Sequence, residues 1–470
     1  MKLLLSLLCV GCLNASAGPT NRAEALDHLM TSLSDRGQFN GSVLVAVDGK
    51  VIYRNAFGMA DFRANTPLTL ESPSGLASVT KQFTAMAVMM LAEQGRLALD
   101  DRVSKFIPDF SQSPIASGIT IRHLLNHTSG IPDYGDLGID DSSLSEKQLI
   151  TSVLRRDSVF RTPGERYQYC NPGYALLAII VERVSGESFA DFLDRRIFQP
   201  LEMGHTYVFD SPTKRRADAA KGYDLFGQED DLGPTAIPGD GGMYSTVDDL
   251  FKWDQALYSD RLVRQERLAE AFTPGKVRAG ASTYGFGWNI TKKAGQKIVW
   301  HTGKAAGFRA YIGRRMGEKI TVILLTNKGD SKRLEINDAI LSILSGKPFT
   351  LPKRSGAEKL YSVIRASGSR AATDLFYALK QASNADFDFS ESELNTLGYK
   401  LLYGDNRVAD AIAIFRLNTT EHAGSSNAFD SLGEAYRKGG QKELALASYQ
   451  KAVELDRSNL HAAAALKELR

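Results

Sequence analysis

Residues 78–94 read SVTKQFTAMAVMMLAEQ: a serine, a lysine three positions on, then a run with few polar side chains. The run shows no strand-like alternation, and its length predicts a helix over Ser78–Gln94, buried on nearly all sides. Residues i and i+3 share a helical face, which sets the Lys81 ammonium beside the Ser78 hydroxyl. A serine hydroxyl is a weak nucleophile until a base takes its proton, and a desolvated lysine can share in that step. The helix start adds unpaired N–H groups and a positive dipole end, both suited to a developing oxyanion. Taken alone the signal is weak, because S-x-x-K arises often by chance and also describes a capping serine with a solvated lysine.

Working outward, GSVLVAV (41–47) and KVIYRNAFG (50–58) are β-rich runs joined at Asp48-Gly49, a two-residue hairpin signal. The strand pattern returns near residue 300 in KIVWH (297–301), FRAYIGRR (308–315) and KITVILLTN (319–327). Between these ends the chain reads as mostly helical, Tyr174 to Val184 included. Strands at both ends around a helical middle predict one α/β (α+β) unit, an antiparallel sheet closed by the two ends and flanked by helices.

Two further motifs fall inside this frame. Tyr169-Cys170-Asn171 lies between a Pro163-Gly164 turn and an apolar helix beginning near Pro172. A phenol and a carboxamide there could face one cavity, Tyr169 relaying a proton and Asn171 holding Lys81 and a substrate amide. The plainer alternative is a buried tyrosine with an asparagine cap. His301-Thr302-Gly303 ends the strand KIVWH, and Gly303 would let a substrate backbone lie against the strand edge. The N–H of Lys304 is then the natural second oxyanion donor beside that of Ser78. For His301 the alternative is a lone histidine satisfied within a packed sheet. Three weak signals in the order S-x-x-K, Y-x-N, H-x-G, each in the context its role demands, are hard to obtain by chance.

With these residues on view, the chain resembles class C β-lactamases, soluble DD-carboxypeptidases and β-lactamase-like esterases over about residues 20–345. RHLLNHTSGIPDY (122–134), PGERYQYCNPGYALL (163–177), FLDRRIFQPLEM (192–203), GGMYSTVDDLFKW (241–253) and YGFGW (284–288) carry the likeness. The resemblance implies that Ser78 is acylated, that Lys81 and Tyr169 share proton transfer, and that Asn171 and His301 line the pocket. Two positions depart from the family pattern. Cys170 replaces a usual serine and is expected to be tolerated, and His301 stands where most β-lactamases carry lysine, which weakens the case for penicillinase activity. Free lysine and tyrosine titrate near pH 10, so holding either deprotonated at pH 7 costs about 4 kcal/mol. Ser78, Lys81 and Tyr169 therefore have to act as a unit. An unperturbed histidine is mostly neutral at pH 7. Carboxylate substrates are accordingly expected to lean on Thr302 and on Lys304 or Arg309. His123 and His127 are read as structural, holding a loop beneath the site.

Other chemistries leave no trace. The seven histidines contain no H-E-x-x-H, cysteines do not cluster, and neither a P-loop, a Rossmann fingerprint nor G-x-S-x-G is present. No metal and no cofactor are expected. A net charge of +3 over 470 residues, without a basic stripe, gives no reason to expect nucleic acid or an anionic membrane as partner.

At the start, Lys2, an apolar run from Leu3 to Leu13 and Ala15-Ser16-Ala17 read as a secretory signal over 1–17, implying a periplasmic or secreted enzyme. Lipid attachment at Cys12 is the second reading. Beyond that signal, which is too short for a mature transmembrane helix, no run of about 18 apolar residues exists to span a bilayer. Of three cysteines, only Cys170 lies outside the signal, so the mature chain can form no internal disulfide.

The hydrolase domain is expected at 18–345, a linker and docking helices at 346–390, and an all-α region at 391–470. In the last, Leu397-Gly398 matches Leu432-Gly433 and Phe415 matches Tyr449, a period of about 34 residues resembling tetratricopeptide repeats. The expected activity is cleavage of an amide or ester of a small-molecule or peptide substrate through a Ser78 acyl-enzyme, of D-peptidase or esterase type. The alternatives are β-lactam hydrolysis, or an inactive scaffold that binds a protein partner through its repeats.

Overall fold

The computed structural model describes residues 21–138, 144–155, 161–235, 237–277, 280–281, 283–293, 295–329, 331–382 and 386–469. The expected signal, with Cys9 and Cys12, lies outside the described residues. The chain forms two compact units that part between Leu351 and Pro352.

The first unit opens with helix α1 (Asn21–Asp35) and the hairpin β1 (Gly41–Val47) and β2 (Lys50–Phe57). Its turn residues Asp48 and Gly49 both have positive φ, 50° and 71°, the twist that matches paired strands. Next come the short strand β3 (Ser74–Gly75), a 3₁₀ turn over Ala77–Thr80, and helix α2 (Lys81–Glu93). Farther along lie α3 (Asn171–Ser185), β4 (Met243–Ser245) and α4 (Val247–Ala256). Strands β5 (Asn289–Lys293), β6 (Gln296–Ala305), β7 (Phe308–Arg315) and β8 (Ile320–Thr326) follow, then helix α5 (Arg333–Leu344).

The six long strands form one antiparallel sheet in the order β5-β6-β7-β8-β1-β2. The pairing Gly41↔Thr326 through Val47↔Ile320 joins the two ends of the unit, as the strand pattern predicts. Strand β1 is apolar on both faces because both are covered. Leu44 and Ala46 enter the large core shared with the helices, whereas Val43 and Val45 pack with Leu29, Leu33, Ile336 and Ile340 of α1 and α5. Sequence reading passed over β5, an edge strand of sequence NITKK whose charged positions are exposed.

The expected helix over Ser78–Gln94 differs at its start. Ser78 sits in the 3₁₀ turn, and the α-helix begins at Lys81. A 3₁₀ turn repeats every three residues, so positions i and i+3 eclipse, an even closer pairing of Ser78 with Lys81 than an α-helix gives. Ala77, just before the serine, holds φ at +46°, a conformation unfavourable for a residue with a Cβ and one that surrounding packing must impose. In α2 only Met90, Ala92 and Glu93 are not fully buried.

The second unit contains α6 (Gly356–Gln381), interrupted at Gly368, then α7 (Glu391–Tyr399), α8 (Val408–Glu421), α9 (Ser426–Lys438), α10 (Lys442–Leu455) and α11 (Leu460–Leu469). Two helical hairpins repeat one packing device. A Cβ on Gly398 would fall 2.4 Å from the Phe415 ring, and one on Gly433 would fall 2.8 Å from Tyr449. The glycine of each first helix thus seats the aromatic ring of the second at the same repeat position. Helix α6 packs on α7 and α8. Among the described residues no helix is long and apolar enough to cross a membrane.

Candidate active site

Lys81 is fully buried, an expensive place for an ammonium unless its donors are satisfied. All three are. Its Nζ donates to Ser78 Oγ at 3.0 Å, to Asn171 Oδ1 at 2.7 Å and to the Asp240 carbonyl at 2.7 Å. These partners come from the 3₁₀ turn, the start of α3 and a loop before β4, so three distant segments fix one nitrogen. Sequence motifs named the first two. The Asp240 carbonyl carried no signal, since every residue has one.

Asn171 is aimed by Asp133, in the stretch HTSGIPDY, a residue with no sequence signature of its own. The Asp133 carboxylate accepts the Asn171 backbone N–H at 2.9 Å and its side-chain Nδ2 at 3.2 Å. With the amide NH₂ held by Asp133, the carboxamide oxygen has to face Lys81. D133N takes away one reliable acceptor and lets that amide turn. The expected result is a 10- to 100-fold (order of magnitude) slower acylation of Ser78 in a folded protein. Timed mass spectrometry of the adduct checks it, and a rate equal to wild type would mean Asn171 is aimed without Asp133.

Tyr169 lies half-buried, its ring 4.3 Å from the His127 ring and its centroid 5.0 Å from Lys81 Nζ. Among the described residues its phenol makes no hydrogen bond to Ser78 or Lys81. The ring of Tyr167, partly exposed beside it, packs edge-on against His127. Cys170 points elsewhere. It is the N-cap of α3, its Sγ accepting the Gly173 N–H at 3.4 Å, and its own N–H donates to His127 Nδ1 at 3.1 Å. Burial pushes the thiol up, away from the reactive thiolate. His127 thus bridges the loop 127–133 to the Tyr169–Asn171 segment, while His123 closes a capping box with Thr120.

On β6, His301 is 2% exposed and both ring nitrogens are engaged, Nδ1 with the Thr302 carbonyl at 2.7 Å and Nε2 with the Tyr284 hydroxyl at 2.9 Å. A carbonyl only accepts, so Nδ1 carries the proton and Nε2 accepts from Tyr284. The ring is therefore held in the wall behind the site, with no nitrogen free for a ligand. Gly303 has a different reason from the expected one. A Cβ there would fall 2.1 Å from the Leu76 carbonyl, so the close approach it permits is to the turn bearing Ser78, not to a bound backbone. Strand β5 pairs with β6 only from Gln296 to Trp300, and no described strand pairs with His301–Ala305 on that side. Thr302 is half-buried and Lys304 exposed. Arg309 Nη1 is tied to the Ala306 and Phe308 carbonyls at 2.8 and 2.7 Å. Arg333, at the start of α5, was not singled out from sequence; its buried Nε has no partner, its charge bears on His301, and burial with Arg309 lowers it to about 10. Among the described residues no group of His, Cys, Asp or Glu is placed to hold a metal ion.

Burial, reinforced by the charge of Lys81, pushes His301 down to about 3, and His127 and His123 are also lowered by burial. These rings stay neutral in the fold but protonate near pH 6.5 once unfolded. The unfolded state then binds more protons, so stability is complete above pH 6.5 and falls as pH drops toward 3. The denaturant midpoint should decline between pH 6.5 and 4.5, before carboxylates contribute, and H301Q should flatten that limb. A midpoint constant over this range would contradict the neutral assignments.

A profile of the beta-lactamase family matches residues 25–345. Over 375 residues the chain is 35% identical to penicillin-binding protein 4* of Bacillus subtilis (strain 168), covering 74% of this chain and 82% of that one. The octameric penicillin-binding protein homologue from Pyrococcus abyssi superposes with a TM-score of 0.61 at 30% identity, over 73% of this chain and 81% of that chain. The D-amino acid amidase from Ochrobactrum anthropi SV3 does so with a TM-score of 0.60 at 26% identity, over 69% and 98%. With a serine–lysine pair held as described inside a matching fold, the chain belongs to the beta-lactamase family of serine hydrolases.

Proposed function

We propose that this chain cleaves an amide or ester next to a D-amino-acid residue through a Ser78 acyl-enzyme, outside the cytoplasm. The observation that carries the reading is the buried Lys81 Nζ, 3.0 Å from Ser78 Oγ and pinned by Asn171 and Asp240. With Lys81 as the neutral amine, Nζ accepts the Ser78 proton, relayed by Tyr169, as Ser78 Oγ attacks the carbonyl carbon. That proton then goes to the leaving amine or alcohol as the carbon–heteroatom bond breaks. Water attacks the acyl carbon by the reverse route, releasing the acid and restoring Ser78. The N–H groups of Ser78 and Lys304 take the oxyanion. Thr302, with Arg309, Arg333 and Lys304 near the end of β6, supplies hydroxyl and positive charge for a substrate carboxylate. The D-amino-acid preference rests on the likeness to the D-amino acid amidase and to penicillin-binding proteins. Residues 1–17 direct export, and the tetratricopeptide-like hairpins of the second unit brace the fold.

The test is intact-protein mass spectrometry after exposure to a fluorophosphonate, a penicillin and, for turnover, D-phenylalanine amide, with S78A as control. Adducts on wild type alone and release of D-phenylalanine support the proposal. Turnover of penicillin with no turnover of the amide would make it a β-lactamase. Absence of every adduct would leave a scaffold.

A further inference from the structure

Among the described residues no hydrogen bond to Ser78 or Lys81 fixes the Tyr169 phenol, although its ring centroid lies 5.0 Å from Lys81 Nζ. A reacting group misplaced by ~1 Å can lose about 10²-fold in rate, so the ring has to be held from another side. His127 holds it. The N–H of Gln168 donates to the His127 carbonyl at 2.8 Å, and the N–H of Cys170 donates to His127 Nδ1 at 3.1 Å. The bonds on either side of Tyr169 therefore end on one residue. Between them the Tyr169 ring lies on the imidazole, with centroids 4.3 Å apart and planes at 37°.

The state of His127 is not what packing alone would select. It is 1% exposed, with the Tyr174 and Tyr284 rings at 5.1 and 4.6 Å. Its φ is +57°, a left-handed conformation that few residues with a Cβ adopt, histidine being among the more tolerant. In that conformation its carbonyl and its imidazole both face residues 168–170. Because Nδ1 accepts the Cys170 N–H, the ring proton sits on Nε2, and Nε2 is buried without a partner. An unpaired buried N–H destabilises a fold, so phenylalanine would fill the space with less penalty. What phenylalanine lacks is the Nδ1 acceptor.

We infer that His127 is a positioning residue for the reaction: its carbonyl and Nδ1 clamp the backbone on both sides of Tyr169, and its ring seats the phenol ring for the relay between Ser78 and Lys81. The inference rests on the proposed acyl-enzyme chemistry, in which Tyr169 carries the proton. His127 then acts through Tyr169, whereas a histidine that only supports the fold would matter equally with or without the phenol.

The experiment follows fluorophosphonate labelling of Ser78 in the full chain by timed intact mass, as the rate at saturation and the half-saturating concentration. Y169F should label about 10²-fold slower or worse. H127F should be about 10- to 100-fold slower at saturation, with its half-saturating concentration unchanged. H127F/Y169F should be no slower than Y169F, the non-additivity of two residues working as a unit. H127N, whose Oδ1 replaces the acceptor and which tolerates the left-handed φ, should recover most of the lost rate. If H127F does not fold, H127G takes its place in the cycle, since glycine adopts positive φ without strain and still lacks the ring and the acceptor. A slow Y169F beside an H127F as fast as wild type would overturn the inference and leave the acyl-enzyme reading standing. So would a double variant slower than Y169F by the full H127F factor, or H127N as slow as H127F. Y169F at the wild-type rate would remove the Tyr169 relay and this inference with it, and a wild type left unlabelled would remove the acyl-enzyme reading as well.

Discussion

Replacing Lys81 with methionine should slow acylation of Ser78 by about 10²- to 10⁴-fold, the usual worth of a positioned proton-transfer group. Methionine keeps the length and apolar packing of the side chain, so the loss reports the amine. The geometry explains why no neighbour can substitute. Nζ is 3.0 Å from Ser78 Oγ, and Asn171 and Asp240 hold it there. K81R should be as slow as K81M, because a guanidinium keeps the positive charge but cannot give up its proton. That comparison separates a proton-transfer role from a charge-only role. Timed intact-mass measurement of fluorophosphonate labelling supplies the rates. K81M within three-fold of wild type would take Lys81 out of the proton path. K81R near wild type would mean that charge alone is required.

The largest stability effect is expected far from the nucleophile, at Asp254. Asp254 on α4 and Arg314 on β7 are both fully buried, with Arg314 Nε 2.5 Å from Asp254 Oδ1. The second oxygen accepts from Thr321 Oγ1 at 2.9 Å and from Gln255 Nε2 at 2.7 Å. Arg314 also lies over the Tyr258 ring at 4.3 Å. The net worth of such a pair against an apolar replacement is small, but removing one partner strands a charge in the core. D254A should therefore lose about 3–5 kcal/mol by denaturant unfolding. D254L/R314L, which removes both charges, should recover part of that. A D254A loss below about 1 kcal/mol would show that water reaches the guanidinium and that the pair is not a closed one.

The parts of the site that were legible in the sequence are those set by local geometry. Ser78 and Lys81 are three residues apart, and any helical turn brings such positions together. Tyr169 and Asn171 flank a helix start marked by Pro172, and the hairpin at Asp48-Gly49 needs the positive φ that this pair tolerates. What stayed hidden depends on contacts between distant segments made by groups without distinctive chemistry. Asp133 was visible as a letter, but its grip on Asn171 exists only once a loop 38 residues upstream folds against α3. The Asp240 carbonyl is a backbone atom, and the Tyr284–His301 contact joins a loop to a strand. Strand β5 was missed because its outer residues are charged and exposed, so no apolar alternation marks it.

The sequence by itself determined the N-terminal hairpin, the three strands near residue 300 and the helix behind Ser78, the closing of one antiparallel sheet by its two ends, the serine–lysine pair, and the helical character of the C-terminal unit. These follow from periodicity and spacing, which act over a few residues and survive without knowledge of the rest of the chain. Only the tertiary structure decided where the α-helix begins behind Ser78, what satisfies the buried ammonium, why Gly303 must lack a side chain, and that His301 is sealed into a wall. Each of these depends on which distant backbone comes within about 3 Å of a given atom, and that is fixed by the packing of the whole unit.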